Sequence, residues 1–422
     1  MSLLKAAFAA LAGSPARDVN GAEARNGLVQ IVSLSLTKCA DALINPKLTL
    51  AWLLASLGAS GAVIGLLTPV REAGSLLPQL ALARWVEQRE KRKLVWVAGA
   101  AMQGLAAAGM GLAALTLDGA IAGWSIVCCL AALAVARSLC SLSHKDTLAR
   151  SIAKSRRGAV SGAAGGLAAA VTLAFGAALA IGVIPLTVSA ISIAILVAGA
   201  LWFIGAAFFL ALDEENKDGS ADENHVSGLF GPLGEDPMLR RFIAARAMLT
   251  VTALAPPFIL LASSIGSNDG AGVLGPLFLA SSAAAIISSY VWGRLSDRSS
   301  RKTMMAAAGL SSASLAAGAL CGFTTGGLGG VAGAAAVLFF AQIAYEGVRQ
   351  GRKLHLTDMT NDANRARYTA LSNTLIGVVL LLGGVFGLIA DALGPLAVLA
   401  LFSAIAALSV PVLAGLDEVQ SD

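Results

Sequence analysis

The chain has 422 residues, of which 57% are apolar and 13% charged, against roughly 45–50% and roughly 25% in ordinary soluble domains. That balance excludes a soluble globular fold. The net charge of +5 does not read as a nucleic-acid surface, because the basic residues fall in short connections between long apolar runs.

A membrane span needs about 20 mostly apolar residues at ~1.5 Å rise per residue. Twelve such stretches begin near residues 27, 58, 94, 121, 158, 188, 240, 270, 303, 328, 369 and 394. Ala, Leu and Gly dominate them, and Gly is tolerated where neighbouring helices pack closely. The fold class expected is an all-α membrane protein of twelve transmembrane helices. The boundaries expected are a cytoplasmic N-terminal segment (1–26), six spans (27–211), a cytoplasmic linker (212–239), six further spans (240–414) and a cytoplasmic tail (415–422).

The opening "MSLLKAAFAALAGSPA" reads as an interfacial helix, because the polar "RDVNGAEARNG" that follows leads straight into the first span. Within that span, Lys38 lies near the middle and Asp41 about one turn further out, on a shared face. The second span carries Arg71 and Glu72 near its middle, between Pro69 and Pro78. Ionisable groups in hydrocarbon are costly and normally face a partner or a wet cavity. Lys38, Asp41, Arg71 and Glu72 are therefore the candidate site, and their second-half counterparts are apolar or small. Their charges also sum to zero, so a static network tying two helices stands beside a coupling or substrate role. Lys47 is expected to snorkel to the outer interface and Arg246 to the inner one.

Orientation follows from the connections. Lys and Arg crowd "RWVEQREKRK", "SHKDTLARSIAKSRRG", "GRLSDRSSRK" and "GVRQGRKLHLTDMTNDANRAR", whereas "SLGAS", "TLDGA", "GVIPLT", "SIGSNDGAG", "TTGGLGG" and "DALGP" contain neither. The positive-inside rule places both termini in the cytoplasm. The five cysteines show no ligand spacing and read as small packing residues. The acidic middle of the chain reads as a solubilising linker.

The two halves repeat. A shift of 209 residues lays Arg89 on Arg298, Arg92 on Arg301 and Lys93 on Lys302; a shift of 208 lays Lys145 on Lys353 and Arg157 on Arg365; a shift of 211 lays "ALINP" on "ALAPP". A duplicated six-helix unit is the expected origin.

The segment "GRLSDRSSRK" resembles the signature loop of the major facilitator superfamily, roughly G-x-L-a-D-r-x-G-R-k, through Gly293, Leu295, Asp297, Arg298, Arg301 and Lys302, with Ser300 in place of the usual Gly. In the first-half copy Arg84 and Gln88 replace the Gly and Asp, with Glu87 alongside. The fourth span's "LAVARSLCS" matches a second family pattern at Leu133 and Arg137. The resemblance implies two pseudo-symmetric six-helix bundles around a cavity exposed alternately to each side. It implies a cytoplasmic latch at Gly293, Asp297, Arg298, Arg301 and Lys302. Arg137 falls by the repeat on Glu346 of the tenth span, which suggests an inner gate; a snorkelling Arg and an interfacial Glu explain the two as well. Direct pairing of Asp41 with Arg137 is not expected, since depth counted from the helix centres separates them by about 12 Å.

The function expected is secondary active transport of a small solute across the cytoplasmic membrane, coupled to protons through Asp41 or Glu72, by a protein working as a monomer. His144, His225 and His355 all fall in cytoplasmic segments. Proton-antiport efflux is an alternative, weakened because the fifth span lacks the Gly-Pro pattern of drug antiporters. A non-transporting scramblase or assembly partner is the other. With no HExxH, phosphate-binding loop, GxSxG or His/Asp cluster, neither an enzyme nor a cofactor or metal site is expected.

Overall fold

A computed structural model describes residues 3–12, 15, 17, 19–214, 230–263, 273–361 and 364–420. The connection "SIGSNDGAG" and residues 215–229 of the expected linker lie outside the described residues.

Helices carry the chain from end to end. In the first half they are α1 (Leu3–Ala12), α2 (Gly21–Ile44), α3 (Thr49–Ser56), α4 (Gly61–Leu76), α5 (Pro78–Glu87), α6 (Arg92–Thr116), α7 (Gly119–Ser151), α8 (Arg157–Ala180) and α9 (Val188–Leu210). In the second they are α10 (Gly231–Glu235), α11 (Pro237–Met248), α12 (Val251–Ser263), α13 (Leu274–Arg298), α14 (Ser300–Thr325), α15 (Gly330–Asp358), α16 (Arg365–Leu382), α17 (Val385–Leu393) and α18 (Pro395–Ala414). Among the described residues ten helical runs are long and apolar enough to span a membrane, and α13, bent by 41° near its middle, makes an eleventh. The second expected span is divided into α4 and α5 around Leu77. The protein is an all-helical, multi-pass membrane protein.

Several spans are broken, and the sequence explains where. Pro46 has no N–H to donate and its ring crowds the preceding turn, so α2 stops at Ile44 and the span resumes at Thr49 as α3. A Gly-Gly pair, Gly383 and Gly384, separates α16 from α17. Ser299 alone separates α13 from α14, its hydroxyl accepting from Lys302 N at 3.0 Å as a helix cap. The stretch 293–302 is therefore two helix ends meeting at a corner rather than an open loop.

In the first half α6 packs on α7 and α9, α2 on α8 and α9, and α4 on α7. In the second, α14 packs on α15 and α18, and α12 and α13 on α15. The first turn of α2, both ends of the Lys154–Arg156 turn and the end of α9 share one face, where Arg156 pairs with Glu23 at 2.6 Å and Asn26 bonds Asp213 in both directions at 2.9 Å. This is the basic face. The starts of α4 and α13 and the ends of α8 and α17 lie on the opposite, neutral face. The helix α1 docks on α2 through the fully buried Phe8 and leaves Leu3, Leu4 and Leu11 exposed, as an interfacial helix requires.

The two halves meet towards the neutral face. Phe175 of α8 meets Phe278 of α13 edge-on at 5.6 Å, and a Cβ on Gly65 would stand 2.6 Å from the Gly387 backbone. Only glycine permits that approach of α4 to α17. Beside it, Asp391 of α17 accepts hydrogen bonds from Gly61 N at 2.6 Å and Ala62 N at 2.9 Å. A carboxylate from one half thus caps the first turn of a helix in the other, where the exposed N–H groups and the helix dipole both favour negative charge.

Candidate functional site

Beneath that seal lies a cavity of about 300 Å³ lined by Lys38, Asp41, Ala42, Asn45, Pro46, Lys47, Thr68, Arg71, Glu72, Ser75 and Arg137. All four charged residues singled out in the first two spans reach it. The break at Pro46 matters here, because it turns Asn45, Pro46 and Lys47 into a wall of the cavity instead of another turn of helix.

Asp41 is the hub. One carboxylate oxygen accepts from Arg71 Nη2 and the other from Arg137 Nη1, so a single acid holds guanidinium groups from α4 and α7. The expectation that Asp41 and Arg137 lie too far apart is overturned. Depth had been counted from helix centres, but α7 is 33 residues long and α2 only 24, so their centres do not share a level. Counted from the neutral face, Asp41 lies fifteen residues before Ser56 and Arg137 eighteen after Gly119, ~4.5 Å of rise that an arginine side chain spans easily. The network consequently ties three helices, α2, α4 and α7, rather than two.

Lys38 points elsewhere, donating to the Ser161 carbonyl of α8 at 3.2 Å. Glu72 has no ion-pair partner among the described residues, although it lines both this cavity and a smaller one of about 80 Å³. The smaller space is walled by α11, α15 and α16 residues, among them Arg246, Tyr345, Arg349 and Arg352, so Glu72 stands between the halves.

Two residues expected to snorkel do something different. Lys47 sets its ammonium 3.7 Å from the centre of the Tyr345 ring, a cation-π contact from the first half to the second. Arg246 is buried and donates to Ser372 Oγ at 2.6 Å and Asn373 Oδ1 at 2.9 Å. Hydropathy gives the depth of a cation but not its azimuth. Both side chains turn inward to acceptors on the facing helix, which a single span's sequence does not reveal. Polar Ser372 and Asn373 side by side in an apolar run are the signal that could have found the Arg246 site.

The paired inner gate is not formed in this state. Arg137 is held by Asp41, and Glu346 binds Arg349 at 2.6 Å and accepts from Gln342 at 3.2 Å.

Among the latch residues, Arg301 finds its partners within its own half. Arg301 donates to the Leu416 carbonyl at 2.9 Å and lies 3.5 Å from Glu418, which also accepts from Ser299 Oγ at 2.7 Å. Gln420 accepts from Ser300 N at 2.5 Å. The chain's own C-terminal segment therefore occupies the corner between α13 and α14, while Asp297, Arg298 and Lys302 are exposed and Gly293 is partly buried. In the first-half copy, the side chains of Arg84 and Glu87 lie outside the described residues.

Residues 31–348 match the sequence model of the Major Facilitator Superfamily. The chain belongs to this superfamily. Solved superfamily-type transporters share its fold: a point mutant of the nucleoside transporter NupG (TM-score 0.70, 13% identity, covering 92% of this chain and 98% of that one), a POT family transporter in complex with a thioalcohol-conjugated peptide (0.69, 11%, 92% and 95%), and a D-xylose-proton symporter (0.68, 11%, 94% and 98%). At such identities the superfamily fold is what is shared. Among curated protein sequences none matches this chain.

Proposed function

We propose that this superfamily member is a secondary active transporter that moves a small solute across the cytoplasmic membrane by alternating access, with both termini in the cytoplasm. The observation that carries this reading is a charged cavity walled by the first half, beside a smaller one that Glu72 shares with the second half, with the two halves packed together on the neutral-face side. Packing on the neutral-face side makes the basic face the route of solute exchange in this reading, with the conformation taken as inward-facing.

Protons are the driving ion in this reading, and a D-xylose-proton symporter on the same fold supports it. Asp41 and Glu72 are the carboxylates available. Asp41 already pairs with two guanidinium groups, so protonating it would strand both. Glu72, without an ion-pair partner among the described residues and set between the halves, loses no such pair, and it is the group assigned the proton.

The test uses proteoliposomes with an imposed pH gradient and a panel of radiolabelled solutes. Wild-type protein should accumulate a solute against its gradient. Glu72→Gln should abolish that accumulation yet retain exchange at equal concentrations, since exchange needs no net protonation change. Gradient-driven accumulation that survives in Glu72→Gln would remove Glu72 from the cycle, and a wild-type protein that moves no solute would oppose transport itself.

A further inference from the structure

The cavity walls carry four cations, Lys38, Lys47, Arg71 and Arg137, against two carboxylates, Asp41 and Glu72. Their internal bonding does not absorb the surplus. Asp41 is one charge shared by two guanidinium groups, and Arg71 Nη1 is buried with no acceptor among the described residues. Lys38 has a neutral carbonyl for a partner and Lys47 the face of a ring. In the smaller space beside it, Arg352 adds another cation with no ion-pair partner among the described residues.

An excess of about two positive charges in a small space inside a membrane protein is costly unless water or a counter-charge offsets it. The remaining lining suits a polar guest. Asn45 has its carbonyl oxygen engaged by Lys47 N at 3.1 Å, which leaves its amide N–H groups as donors, and only Ala42 and Pro46 among the lining residues are apolar. A cationic solute meets repulsion here.

We propose that the cavity binds a small organic anion carrying two negative charges, a dicarboxylate or a phosphate monoester, with Lys38, Lys47 and Arg137 supplying the charge that selects it. The proposal rests on the transport reading for its biological meaning, but the charge of the cavity is measurable without transport.

The experiment places a single thiol in the cavity, Ser75→Cys, in the full-length protein with the five native cysteines replaced by alanine or serine. Its reaction rates with an anionic and a cationic methanethiosulfonate reagent are compared with those of a free thiol. The anionic reagent should be favoured at least tenfold, an effect within the range by which charged clefts concentrate counter-ions. Lys38→Gln with Lys47→Gln, which leaves the Asp41 fork intact, should reduce that preference severalfold. A ratio equal to the free thiol's, or unchanged in the double variant, overturns the proposal.

Protection against labelling then reads the guest. Succinate and glycerol 3-phosphate distinguish the two anion chemistries, with uridine and tetraphenylphosphonium as neutral and cationic controls. Protection by either anion supports the proposal. Protection by the controls alone, or by no solute at 10 millimolar on the order of the weakest useful affinities, overturns it. An anion-selective cavity in a protein that accumulates no solute would refute the transport reading alone.

Discussion

Lys47 and Tyr345 meet across the two halves, the ammonium 3.7 Å from the ring centre. The contact joins the broken first span to α15 at the rim of the cavity, so it can form only while the halves sit as they do here. Tyr345→Phe keeps the ring face and should leave stability unchanged. Tyr345→Leu should lower it by about 0.5–2 kcal/mol, the range for cation-π pairs from exposed to desolvated. Thermal unfolding in one detergent would check this, and equal effects of the two substitutions would show that the ring face contributes nothing.

The Asp41 fork predicts an order of effects. Asp41→Asn leaves two guanidinium groups competing for a neutral acceptor, and breaking a buried pair costs roughly 3–5 kcal/mol. Arg71, with a side chain 10% exposed, should cost more to replace by Gln than Arg137, which is 43% exposed and partly solvated. Expression level and melting temperature should therefore rank wild type, Arg137→Gln, Arg71→Gln and Asp41→Asn from highest to lowest. A reversed order for the two arginines would place the solvent on the wrong side of the cavity. If the charges serve only to hold helices together, neutralising Asp41 with its partners by apolar residues should restore both stability and accumulation.

At the neutral face, Asp391→Asn keeps the size but offers one accepting oxygen for two N–H groups. The loss expected is about 0.5–2 kcal/mol, as for other helix caps. Because this bond spans the halves, the proposed alternating access turns the loss into a population shift towards a state open at the neutral face. Double electron-electron resonance between labels at the start of α4 and the end of α17 would show a longer-distance component. A distribution identical to wild type would mean that the glycine contact alone keeps the face shut.

The corner between α13 and α14 separates two versions of a latch. Asp297 is exposed, so Asp297→Asn should not change the melting temperature. Glu418→Gln weakens the contacts to Ser299 and Arg301 and should lower stability by about 1 kcal/mol, as expected for charge-assisted hydrogen bonds at a partly exposed site. A destabilising Asp297→Asn and a neutral Glu418→Gln would invert this assignment and return the latch to the signature residues.

How much of this was legible beforehand differs by kind of feature. Long apolar runs showed the spans, because the length of a crossing helix is fixed by the bilayer. Lys38, Asp41, Arg71 and Glu72 stood out because charge in hydrocarbon demands a reason, and all four do line one cavity. Their partners were not readable. Arg137 was set aside because helices of unequal length have no common centre, and Lys47 and Arg246 were turned outward because hydropathy carries depth without direction. The role of Pro46 as a wall-maker needed the tertiary fold, since a proline in a span often only kinks it. The tail's occupation of the signature corner depends on Glu418 and Gln420, which lie far from that corner in sequence and match no pattern.

Asp391 binds main chain, not side chain, on α4. Every residue except proline would present the same two N–H groups at positions 61 and 62, but at 61 any Cβ would stand 2.6 Å from the Asp391 carboxylate. The fastening is consequently lopsided as a mutational target: on the α17 side it is lost with the carboxylate itself, while on the α4 side it is lost only where a side chain at 61 displaces that carboxylate or a proline removes an N–H. Random mutagenesis should therefore recover loosened variants at Asp391 by loss of the carboxylate and at Gly61 by steric displacement of it, and a genetic screen read naively would credit to side chains at 61 a bond that the main chain makes.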